Sequence, residues 1–222
     1  MRPIMLAALL AAFIAGLTVF AVQSVRVVPL IIAAEAYEEA APPPTESAGH
    51  SHEAEAWEPE EGFERQAYTA LADVLVAFGF ALVLTGLFAL RGRPVDARQG
   101  LLWGAAGFAV FALAPALGLP PELPGTQAAA LGLRQFWWLG TVLATAGGLA
   151  LVVFQRTPMW RIAGVALLAL PHLIGAPHPH EHGGSAPAEL AAQFIVASLV
   201  TSAIFWAVLG SSAGWLYGRL AR

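Results

Sequence analysis

Three imidazoles recur at alternate positions in the segment His178-Pro179-His180-Glu181-His182, and a second pair, His50 and His52, is followed by Glu53 and Glu55. In extended backbone alternate side chains project to one side, so the longer cluster presents three ring nitrogens together, a donor set suited to Co, Ni, Zn or Cu. The chain has no Cys, which removes thiolate chemistry and leaves imidazole and carboxylate as its strong metal ligands. Three more ionisable residues stand inside apolar runs: Arg26, Asp73 and His172. A charge at the bilayer centre costs at least ~2.5 kcal/mol on insertion scales, so each needs a partner or a purpose. His172, directly after Pro171, either takes a divalent cation or hydrogen-bonds a backbone carbonyl.

These residues must be positioned by helices in a membrane. With 58% hydrophobic and only 12% charged residues, the 222-residue chain is too apolar for an aqueous surface. The basic residues are eleven Arg and no Lys against a net charge of -4, so no basic face exists for nucleic acid. A hydrocarbon core of ~30 Å takes about 20 helical residues. Six stretches qualify as spans: 4–22 continuing apolar to Ala34, 66–90, 100–119, 136–154, the short 162–177 containing Pro171, and 190–218. The expected fold is all-α and polytopic, a single transmembrane domain over 1–222 with about six transmembrane helices. They form hairpins 4–90, 100–154 and 162–218, the first with an acidic, His-containing outer loop over 36–65. A cleavable leader competes for the first stretch, but apolar character resumes at Val27, and retention keeps the hairpins complete.

Arg2, Arg91, Arg93, Arg98, Arg156, Arg161, Arg219 and Arg222, eight of the eleven basic residues, fall on one side of this arrangement. Arg-rich short loops stay cytoplasmic, so the expected location is the bacterial inner membrane with both termini cytoplasmic. The His and the acidic loop then face outward. Trp103, Trp137, Trp138, Trp160, Trp206 and Trp215 mostly fall near span ends and are expected to anchor at the interfaces.

The hairpins resemble one another. Ala114-Pro115-Ala116-Leu117-Gly118-Leu119-Pro120 parallels Leu170-Pro171-His172-Leu173-Ile174-Gly175-Ala176-Pro177, and Gln135-Phe136 follows the first much as Gln193-Phe194 follows the second. Parallel repeats of this kind predict a shared pathway near their axis. Pro115 and Pro171 lack the N–H that would satisfy a carbonyl one turn back, which suits an ion or water route. Gln135 and Gln193 open their helices in matching places, where their amides either line one vestibule or hydrogen-bond across to neighbouring helices. At 1.5 Å per residue, Asp73 lies ~10 Å below Gln66 and Arg26 ~13 Å below Glu35, so they either meet as an ion pair or Asp73 serves a cation path. No nucleotide-binding loop, metalloprotease helix or framed nucleophile is present, so no enzyme activity and no tightly bound cofactor are expected.

Several segments resemble the CbtA family of predicted cobalt transporter subunits. They are Val27-Val28-Pro29-Leu30-Ile31 with Glu35 and Tyr37, the run from Leu113 to Gly125 with its four Pro, Arg134-Gln135 with Trp137-Trp138, the run from Leu170 to Pro177, and Pro187-Ala188-Glu189-Leu190 with Gln193-Phe194. The resemblance implies uptake of Co2+ linked to cobalamin synthesis, a small single-span His-rich partner like CbtB, and five spans where the apolar pattern gives six. Glu35, Glu122, His172 and Glu189 are the motif positions that also suit metal passage, at or near the outer ends of the hairpins. Two other readings stay open: a membrane scaffold that hands metal on without transporting it, and a transporter of nickel or another divalent cation. A homo-oligomer and contacts with membrane lipid are compatible with either.

Overall fold

The computed structural model describes residues 2–39, 59, 62–179 and 183–221; there the regular structure is helical apart from one isolated bridge, Thr126 with Gly184. Seven helices follow in order: α1 Arg2–Arg26, α2 Val28–Glu39, α3 Phe63–Arg91, α4 Ala97–Ala116, α5 Leu131–Phe154, α6 Pro158–Ile174 and α7 Ala188–Leu220. All but α2 and α6 are long and apolar enough to cross a membrane. The 17 residues of α6 reach about 26 Å, short of a ~30 Å hydrocarbon core. Six expected spans are therefore five full-length helices and one short one.

The first apolar stretch is broken rather than continuous. Val27 N–H still bonds Gln23 O at 2.8 Å, but Pro29 has no N–H, and the ladder restarts from Val27 O, which accepts from Leu30 at 3.0 Å and Ile31 at 3.2 Å. Helix α2 runs to Glu39 and α3 starts at Phe63, so the loop expected over 36–65 is shorter at both ends. At the other end of α3, Gly92 adopts φ 62° and closes the helix on Ala89 O. Asp96 then caps α4 by accepting the Gln99 N–H at 2.8 Å.

Small residues decide which helices touch, because lipid is as apolar as leucine and gives no reward for burying it. Ala7, Ala8, Ala11, Ala12 and Ala15 of α1 are fully buried in one cluster with Ala77 and Ala81 of α3. Helices α4 and α7 approach closest: a β-carbon added at Gly100 would strike the Gly210 carbonyl oxygen, and one at Gly104 that of Trp206. Helix α7 thus sits among α1, α3 and α4. Its Trp206 packs 4.8 Å from Phe80 and stacks on Phe111 at 5.6 Å between centroids. At 4% exposure Trp206 is core, which corrects its expected interfacial place. Trp215 is exposed, with the Arg219 guanidinium 4.8 Å over its ring.

The expected hairpins are not equivalent in packing. Helices α1 and α3 lie together, but the main neighbour of α4 is α7, and α6 packs on α5. There Gly148 and Gly164 face each other so closely that a β-carbon on either would come within 2.8 Å of the other's carbonyl oxygen. The α5–α6 pair joins the other helices mainly through the end of α4. At one end of the bundle Arg91 lies 5.9 Å over the Phe154 ring and Gly218 abuts Val95. At the other, Ala34, Leu123 and Phe194 form a small cluster, and Gln127 N–H bonds Gly183 O at 3.0 Å.

Candidate cation cleft

Near the loop end of the bundle α4 changes its winding. Ala109–Leu113 form a π-turn, with the Ala114 N–H reaching back to Ala109 O. Pro115 then offers no N–H at all, so the turn is one donor short. Phe111, Ala112, Pro115 and Ala116 make one wall of a cleft of about 700 Å³. Arg134, Gln135, Trp138 and Leu139 of α5 make the facing wall, and Leu199 and Ser202 of α7 complete it. The segment leaving α4 brings Glu122 to the same cleft, where Arg134 donates to its carboxylate at 2.6 Å. Both side chains are more than two thirds buried, so water screens this pair less than a surface one. Three expected site residues, Pro115, Glu122 and Gln135, therefore converge here. Ser202 and the ion-pairing role of Arg134 go beyond the sequence reading: a Ser among small and apolar residues carries no signal, and an Arg at a helix start does not name a carboxylate twelve positions away.

The remaining candidates are dispersed. Gln193 and Arg26 line a second hollow of about 660 Å³, between α1 and α7. Gln135 and Gln193 thus occupy different hollows, because the Gln193, Val196, Val200 face of α7 meets α1 while Leu199 and Ser202 turn toward α4 and α5. The Arg26–Asp73 ion pair does not form. Asp73 instead accepts a hydrogen bond from Gln23 Nε2. Gln23 faces α3, whereas Val22 and Arg26, one helical turn apart, share the face toward α7.

His172 is partly buried in the last turn of α6, its ring 6.1 Å from Trp137 and edge-on to it. Pro171 is buried beside it, and its carbonyl accepts from Gly175 N–H at 3.0 Å. Pro115 closes α4 by the same bond, accepting from Leu119 N–H at 2.8 Å. The two exits also meet, since Gly118 lies against Trp137 and Ala176. Outside the cleft, Glu35 and Arg65 form an exposed pair at 3.7 Å, Glu189 is exposed in the first turn of α7, and His178 is exposed after α6. His50, His52, His180 and His182 lie outside the described residues. Among the described residues no three His, Asp or Glu gather into a metal-binding group.

A family model described as "Probable cobalt transporter subunit (CbtA)" matches residues 1–218. The chain belongs to the CbtA family. No curated protein and no solved structure matches it. The resemblance read from the Pro-rich exits is borne out over nearly the full length, and CbtA membership makes this chain a probable cobalt transporter subunit with cobalt as its cargo. For such a cargo the cleft offers a carboxylate, an amide, a hydroxyl and a carbonyl-rich turn. A cation at Glu122 would have to compete with Arg134 for the carboxylate.

Proposed function

We propose that this CbtA chain admits Co2+ through the cleft between the end of α4, α5 and α7. The observation that carries the reading is the convergence of Glu122, Gln135 and the donor-deficient Pro115 turn on one hollow at the loop end. Co2+ displaces Arg134 from Glu122, takes oxygens from Gln135 and Ser202, and passes along the carbonyls of the π-turn. The outer segments collect the ion first: Glu35 and Glu189 by charge, and His50, His52, His178, His180 and His182 by short-lived imidazole ligation. His172 acts between collection and entry, beside Trp137 at the exit of α6. Both termini are cytoplasmic in this reading, so the cleft opens outward, and a single-span His-rich subunit like CbtB completes the transporter.

The test is uptake of radiolabelled cobalt into cells lacking their own uptake system and expressing the chain with and without such a partner. Glu122→Gln is expected to reduce uptake several-fold at unchanged protein level, and His172→Ala to raise the cobalt concentration needed for half-maximal rate. Uptake no greater than in empty cells, in every arrangement, would leave the chain a scaffold that hands metal on.

A further inference from the structure

We propose that the hollow between α1 and α7 is a binding site for one anionic phospholipid, with its phosphate on Arg26 and Gln193. This hollow is unlike the cation cleft. Its walls are Val22, Leu30, Val196, Val200 and Ile204, and its fixed charge is a guanidinium. Arg26 is paired with no carboxylate among the described residues, where the ion pairs are Arg65 with Glu35 and Arg134 with Glu122. An unneutralised guanidinium repels Co2+ and attracts a phosphate, which it engages through two parallel N–H donors.

Two further observations point to a lipid rather than a free anion. From Gln193 to Ile204 the groove follows twelve residues of α7, a rise of roughly 16 Å at 1.5 Å per residue, far longer than a free phosphate needs and enough for a headgroup with the upper part of one acyl chain. Thr201, 6% exposed, also lines it, and its Oγ1 is buried with no hydrogen-bond partner. Thr85 and Thr141 give their hydroxyls to the preceding turn of their own helices. The Thr201 hydroxyl is left for an acceptor inside the groove.

Native mass spectrometry of the full chain, titrated with phosphatidylglycerol or with phosphatidylcholine of identical acyl chains, tests this. One phosphatidylglycerol is expected to bind in preference. Arg26→Gln should weaken it roughly tenfold, as for loss of a charge-assisted hydrogen bond, and abolish the preference. Arg26→Lys should retain the preference, and Val200→Trp should exclude both lipids. Val200 is exposed on the groove wall, so the larger ring fills the groove without entering the core. Equal binding of the two lipids, unchanged binding by Arg26→Gln, displacement by millimolar inorganic phosphate, or a lipid-free dimer sealed by the same face would each overturn the proposal.

Discussion

Glu122 and Asp73 are both carboxylates in an apolar chain, and their surroundings divide their work. Glu122 faces a cleft and is held by the Arg134 guanidinium, which on the proposed reading Co2+ displaces. Asp73 is held by a neutral amide between α1 and α3, so its bond with Gln23 ties two helices. Gln23→Leu is accordingly expected to destabilise the chain by about 1.5–3 kcal/mol, the range for hydrogen bonds to charged groups, because a carboxylate is left without its donor. Thermal unfolding in detergent measures this, and adding Asp73→Asn should recover part of the loss. Equal stability of Gln23→Leu and the parent would mean that water or lipid headgroups serve Asp73 instead. Gln23 was passed over in the sequence because amides in membrane helices attract less notice than charges. The ion pair expected for Asp73 does not form because Gln23 already donates to that carboxylate, while Arg26 turns into the hollow beside Val22 and Gln193.

Helix boundaries were legible because hydrocarbon length is a strong constraint: the ends of α3, α5 and α7 fall close to where charge and Gly interrupt the apolar runs. Helix partners were not legible from hydropathy, since a helix apolar on every side carries no stripe that names its neighbour. The readable signal was small residues at four-residue spacing, Gly100 and Gly104 in α4 with Gly210 and Gly214 in α7, which pair those helices instead of the sequence neighbours α4 and α5. Gly104→Leu should therefore push α4 off α7 and cost about 1–3 kcal/mol, as overpacking does in a dense core. Gly140→Ala, where an added β-carbon meets nothing within 4 Å, should be neutral or stabilising by up to about 1 kcal/mol from helix propensity. Melting temperatures of the two variants in one detergent compare them directly, and equal losses would remove the close-approach account. The π-turn was equally hidden, although Pro115 marked its place. Pro115→Ala restores the missing N–H and is expected to raise thermal stability while lowering cobalt uptake, since a regular turn has fewer carbonyls to offer; uptake unchanged in a stabilised variant would remove the turn from the ion route.

Among the described residues, charge is divided between the two ends of the bundle: Arg91 and Arg219 lie at the end opposite the cleft, and Glu35, Glu122 and Glu189 lie at the cleft end. For Co2+ entering through the proposed cleft, the membrane potential is a driving force that needs no ATP. It is worth ~2.3 kcal/mol per elementary charge per 100 mV, hence ~4.6 kcal/mol for a divalent cation. At ~1.4 kcal/mol per tenfold, that sustains an accumulation ratio on the order of a thousand. Proteoliposomes carrying the chain together with a single-span His-rich partner should therefore concentrate radiolabelled Co2+ when a potassium gradient and valinomycin make their interior negative. With the potential clamped at zero they should only equilibrate, and ATP on either side should change nothing. Accumulation that persists at zero potential, or that requires ATP, would show that the energy enters elsewhere and that the cleft is a passive vestibule of a larger machine.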